Sequence, residues 1–76
     1  MEEQVLRIIE EHCGAALDYD GNNMMGDGVI DSFTVLNIVN DLEDEFDIDI
    51  DAGYVIADNF RNKEAIIALV RMVLSN

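Results

Sequence analysis

Ser32-Phe33-Thr34-Val35-Leu36-Asn37-Ile38-Val39-Asn40-Asp41-Leu42-Glu43-Asp44-Glu45-Phe46 decides how this chain folds, because its apolar residues recur at the spacing of a helix rather than a strand. At about 100° per residue, Val35, Ile38, Val39, Leu42 and Phe46 fall within one arc of roughly 100°, the width of a stripe that faces a core. Asp31 stands just before them. A short carboxylate there accepts hydrogen bonds from the first unpaired amides, so Asp31 reads as the N-cap of a helix over about 32–46. Phe33 and Leu36 fall outside the stripe, on the side of Asn37, Asn40, Asp44 and Asp47. Two large apolar side chains on an otherwise polar, acidic face predict a docking surface.

On the N-terminal side, Val5, Ile8, Ile9 and His12 recur at helical spacing from Glu2 to about Cys13, with Ala16 continuing the face and Arg7, Glu10 and Glu11 pointing away. Gly14, Gly21, Gly26 and Gly28, with Asp18, Asp20, Asn22 and Asn23, then predict a loop of about 15 residues ending near Asp31, a length at which loops tend to be functional. Leu17, Tyr19 and Val29 or Ile30 are its expected anchors. On the C-terminal side, Asp47-Ile48-Asp49-Ile50-Asp51 alternates like a strand but has no second strand to pair with, so it reads as an extended connection with two buried isoleucines. Ala52 to Ala57 reads as a short helical turn ended by Asp58-Asn59, and Phe60 as a core plug. Asn62 is placed to cap a last helix reaching about Leu74, with Ala65, Ile66, Leu69, Val70 and Val73 inward and Arg71 near the negative end of its dipole.

Seventy-six residues are enough for one small core, so residues 1–76 are expected to form a single domain. No apolar run approaches the roughly 20 residues of a membrane-crossing helix. The acidic start Met1-Glu2-Glu3-Gln4 is unlike a signal peptide, and the one cysteine cannot form an internal disulfide, so the expected location is the cytoplasm. Four basic residues against seventeen acids give a net charge of −13, and fourteen of the acids lie between Arg7 and Arg61, where there is no Lys or Arg. Such a surface repels nucleic acid and anionic lipid and attracts basic proteins. The expected state is a monomer that inserts in no membrane and binds no nucleic acid.

Nothing here builds a self-contained catalyst, so the chain is not expected to be an enzyme. The one histidine, His12, lies on the apolar face of the first helix and reads as a core or boundary residue, and Cys13 as a small buried hydrophobe, since no base stands near to lower its pKa. Asp47, Asp49 and Asp51 match the first three ligands of a calcium loop, but Ala52 holds the place of the required glycine and Asp58 that of the bidentate glutamate. Ser32 is different. A serine in the first turn of a helix can simply help to cap it, yet the preceding glycines leave room, the helix start favours an attached phosphate, and Phe33 and Leu36 offer an apolar landing beside it. A hydroxyl so placed suits a phosphodiester made by another enzyme.

Asp31-Ser32-Phe33, followed by the amphipathic run to Glu43-Asp44-Glu45-Phe46, resembles the D-S-[LMIF] signature of the phosphopantetheine carrier proteins, the acyl and peptidyl carrier family. The likeness covers nearly the whole chain: first helix, long loop, D-S at the start of an acidic second helix, short third helix, and a fourth opening Asn62-Lys63-Glu64-Ala65-Ile66. It implies an all-α, acyl-carrier-protein-like four-helix bundle with a long loop between helices 1 and 2 and a short helix 3. It also implies that a phosphopantetheinyl transferase esterifies Ser32 with the 4'-phosphopantetheine arm of coenzyme A, with Asp31 recognised by that transferase.

By the same resemblance, the arm's thiol carries an acyl group as a thioester to partner enzymes of fatty-acid, polyketide or related biosynthesis, and the carrier itself catalyses nothing. Those enzymes, and the ligase that loads the arm, would bring basic patches to the second helix. Asp41, Glu43, Asp44, Glu45 and Asp47 would then steer, while Phe33, Leu36 and Asn40 make contact. Phe33 stands in place of the family's usual leucine, Asn40 where an apolar residue is common, and Gly53-Tyr54-Val55-Ile56-Ala57 is less acidic than the third helix of fatty-acid carriers. These departures favour an aminoacyl carrier of the D-alanyl or peptidyl type, charged by an adenylating ligase, as the alternative. An acidic calcium-binding or protein-interaction module is the rival from another class.

Overall fold

Amphipathic periodicity becomes four α-helices in a computed structural model of the chain, which describes residues 1–75; among these residues there is no strand. Helix α1 spans Glu2–Cys13, α2 Ala15–Asp18, α3 Ser32–Phe46 and α4 Lys63–Ser75, with 3-10 turns at Ala52–Tyr54 and Ala57–Phe60. α1 turns Val5, Ile8 and Ile9 inward and packs on α3 and α4. α3 buries Val35, Ile38, Val39 and Leu42, and Phe46, at the last helical position, is only half-buried. From α4, Ala65, Ile66, Ile67, Leu69 and Val70 complete one core, and Phe60 fills it with no exposed surface. Each of the larger side chains among them, valine, leucine, isoleucine or phenylalanine, contributes about 1.5–3 kcal/mol by leaving water.

Three boundaries differ from the sequence reading. Gly14 has right-handed helical geometry (φ −58°, ψ −31°), so instead of stopping the chain it passes it on into α2, which buries Ala16, and the loop starts only at Tyr19. The short helix expected over Ala52 to Ala57 is split, because Val55 and Ile56 leave helical geometry (ψ 71° and 158°). The Asp51 side chain begins the first turn by accepting the Gly53 N–H at 2.8 Å. Asp58 and Asn59, expected to end that element, lie inside the second turn, where the Asn59 side-chain amide donates to the Tyr54 carbonyl at 2.8 Å. The short member of the four-helix set is therefore α2, before the long loop. Third, Ile50 is buried but Ile48 only half-buried, so the acidic connection sends one full anchor into the core.

α3 ends because Asp47 adopts the left-handed conformation (φ 52°, ψ 52°), the one non-glycine among the described residues to do so, and its N–H closes on the Glu43 carbonyl. This is a C-terminal cap of the kind usually given to glycine. α4 begins at the expected cap: Asn62 Oδ1 accepts the Ala65 N–H at 2.9 Å.

The loop between α2 and α3 is held by its own polar groups and by the start of α4. Tyr19 Oη donates to Asp27 and accepts the Asn23 N–H at 2.9 Å, while Asn23 Oδ1 takes the Gly26 N–H at 2.9 Å. The bond to Asp27, followed by partial burial, raises the Tyr19 pKa above the ordinary tyrosine value. Gly21 is glycine for packing, since a Cβ there would run into the Tyr19 ring; Gly28 is glycine for its backbone, at φ +79°. Across the molecule, Lys63 Nζ donates to the Leu17 carbonyl at 2.8 Å and Asn62 Nδ2 to the Gly21 carbonyl at 3.2 Å. These bonds fasten the beginning of the loop to the start of α4.

Candidate functional site

Asp31 ends the loop in extended geometry (φ −113°, ψ 178°) and caps α3: its Oδ1 accepts the Thr34 N–H at 2.8 Å, and its carbonyl the Val35 N–H at 3.0 Å. The Thr34 amide, then the Thr34 hydroxyl, hold the carboxyl below the usual aspartate range by stabilising its charged form. The capping role that Ser32 was free to take is thus filled by its neighbour. Ser32 is the first helical residue, exposed, and among the described residues nothing hydrogen-bonds its hydroxyl. Its surroundings are only partly opened by glycine: Gly28 has nothing within 4 Å of a Cβ position, but Gly26 lies tight against the Asn23 side chain.

Next to Ser32 lies the most exposed of the molecule's large apolar side chains, Phe33, at 71%, with Leu36 one turn on at 54%. Asn40 continues this face and is exposed. Tyr54 and Ile56, on and just after the first 3-10 turn, are also exposed. Phe33 and Leu36 thus leave apolar surface open to water in the first two turns of α3.

The acids assigned to steering divide into two groups. Asp41 is engaged by His12, with Nε2 and Oδ2 2.6 Å apart across the α1–α3 seam. Glu45 pairs with Arg7 at 3.1 Å in the same seam. Glu43 reaches past the end of α3 to accept the Ile50 N–H at 2.8 Å, fastening the acidic connection onto the helix. Asp44 and Asp47 are exposed and make no such bond among the described residues. An open groove of about 370 Å³ runs along the seam, lined by Arg7, Ile8, Glu11, Asp41, Asp44 and Glu45. It stands away from the serine, since Asp41 lies about 14 Å of helical rise beyond Ser32.

His12 and Cys13 are both half-buried, the first tied to Asp41 and the second donating its thiol to the Val29 carbonyl at 3.1 Å. Each ties α1 to a neighbouring segment. Among the described residues no three His, Cys, Asp or Glu side chains converge as a metal site requires.

Comparison with family models, with curated proteins and with solved structures finds no match to this chain. What can be said of its chemistry therefore comes from its own residues. Two of them escaped the reading of the sequence. Met24 is fully buried and accepts the Val29 N–H on its carbonyl, and Glu43 serves as a backbone tie. Met24-Met25 is the one large apolar pair in a run of Gly, Asn and Asp, and that isolation was the available signal.

Proposed function

We propose that this chain is a carrier protein, modified at Ser32 with 4'-phosphopantetheine by a phosphopantetheinyl transferase and working in the cytoplasm as a monomer without catalytic activity of its own. The observation that carries the reading is the division of labour at the start of α3: Asp31 does the capping, and the adjacent hydroxyl of Ser32 stays exposed at the first helical position. A serine needed only to end a loop would be expected to spend its hydroxyl on the backbone. The residues present suit the arm. The hydroxyl stands exposed at a helix start that favours phosphate, and Gly28, four residues earlier in the chain, has open space at its Cβ position. When attached, the arm supplies a thiol that holds cargo as a thioester.

The chain's own residues then present the arm and meet partners. Asp31 fixes the first turn and is the acid that a transferase would recognise. Phe33, Leu36 and Asn40 form the contact face, and Asp44 and Asp47 supply free charge to attract basic patches on the loading ligase and on downstream biosynthetic enzymes. Asp41, Glu43 and Glu45 contribute to the same field while serving the fold. The four-helix arrangement with a long, clamped loop before the site is what a carrier of this family would need.

An acyl group is the cargo proposed, with an aminoacyl group as the alternative. The intact mass of the protein isolated from its own cell tests function and cargo together. A mass increased by the arm plus an acyl or aminoacyl group on Ser32 supports the proposal and decides between the two. An unmodified chain that binds calcium tightly and stoichiometrically in calorimetry would favour the rival acidic module.

A further inference from the structure

We propose that Met24 is a positioning residue for Ser32. The inference rests on the carrier reading, because the reaction it concerns is transfer of the arm. Met24 lies in the loop, yet its side chain has no exposed surface and stands among the largest fully buried side chains of the core. Its backbone is used on both sides. The Met24 N–H donates to the Arg61 carbonyl at 3.0 Å, one residue before the cap of α4. Its carbonyl accepts the Val29 N–H at 2.9 Å and the Ile30 N–H at 3.4 Å, the two residues that lead into Asp31. Ile30 is itself buried. One residue whose side chain is sunk in the core thus fixes, through a short bond to Val29 and a longer one to Ile30, the direction in which the chain enters α3.

The rest of α3 does not depend on this anchor. Val35, Ile38, Val39 and Leu42 hold the helix against the core, and Asp31 caps it. Loss of the Met24 side chain therefore loosens the approach to the serine, leaving it the buried Ile30 side chain and the Cys13 thiol bond to the Val29 carbonyl, while the helix keeps its own attachments. Misplacing a reacting group by about 1 Å costs on the order of a hundredfold in rate. Arm transfer should register that loss more strongly than helix content does.

The test measures arm transfer from coenzyme A by a broad-specificity phosphopantetheinyl transferase, with circular dichroism on the same samples. Met24→Ala should keep its helical signal and lose roughly tenfold to a hundredfold in kcat/KM for the carrier, and Met24→Leu, which refills the site, should recover the wild-type value within about twofold. Wild-type kinetics in a folded Met24→Ala chain would overturn the proposal. If Met24→Ala does not fold, the decision passes to amide hydrogen exchange of the wild-type protein. Val29 and Ile30 amides exchanging as slowly as those of Ile38 and Leu42 would support the anchor, and exchange at the rate of free loop amides would overturn it. A wild-type chain that takes no arm at all refutes the carrier reading instead, and the exchange measurement still judges the anchor.

Discussion

At the scale of single residues, two aspartates at the ends of α3 do opposite things. Asp31 gains from the helix it caps: its folded-state pKa lies below the unfolded value, so the capped carboxylate adds stability above the ordinary aspartate pKa, and that addition is lost as pH falls through the depressed folded value. Asp31→Asn should therefore flatten the acid limb of the stability curve. Urea melts of both chains between neutral and acid pH would show it, and an acid limb unchanged by the substitution would contradict the cap. Asp47 loses instead, since its left-handed backbone is costly for any residue with a Cβ. Asp47→Gly should raise stability by about 0.5–1 kcal/mol, less what the freer unfolded chain takes back. Because Asp47 is also one of the two free acids on the proposed docking face, the same variant should bind basic partners more slowly, a separation of stability from association that one set of melts and stopped-flow traces would reveal.

At the scale of elements, the three long helices α1, α3 and α4 and their inward faces were legible in the sequence because each repeats an apolar residue every three or four positions over several turns, whereas the single turn of α2 has no such period. Val35 to Leu42 and Ala65 to Val70 lie where that period puts them. The connections were less legible for a physical reason: a fold can anchor a loop with one side chain or one carbonyl, and a single residue has no period. Met24 illustrates the first case and Glu43, with its bond to the Ile50 N–H, the second. Gly14 shows the converse, a residue with the freedom to turn the chain away that instead keeps right-handed geometry and joins α1 directly to α2. Of the candidate site, the serine was legible from its place at the first turn of the helix and the apolar face from helical angles, whereas the internal partners of Asp41, Glu43 and Glu45 were not, since they belong to other elements. Glu43→Ala should cost about 1–3 kcal/mol by leaving the half-buried Ile50 amide without its acceptor. Phe33→Ala should change stability by no more than about 0.5 kcal/mol, as expected for an exposed position, while weakening partner binding. Paired melts and binding isotherms check both; a large loss of stability for Phe33→Ala would mean that this ring holds the fold.

At the scale of the whole molecule, charge dominates. A net charge of −13 on seventy-six residues sets the compact state against its own repulsion, and among the described residues only a few ion pairs, such as Arg7 with Glu45, relieve it. The Arg7–Glu45 pair is largely exposed, and a pair of that kind is worth no more than about 1 kcal/mol. Added salt should therefore stabilise the fold, because it screens more repulsion than attraction. Thermal melts from low to moderate sodium chloride should move upward, and a downward shift would show that the ion pairs outweigh the excess charge. The same field would give a carrier its reach toward basic partners, with rates that fall as salt rises. Beneath these effects stands the identity of the hydroxyl at the start of α3. Its most direct test is the intact mass of the purified chain after incubation with coenzyme A and a broad-specificity phosphopantetheinyl transferase. The account predicts a gain of one phosphopantetheine on the wild type and none on Ser32→Ala; an unchanged wild-type mass, or the same gain on the variant, would contradict it.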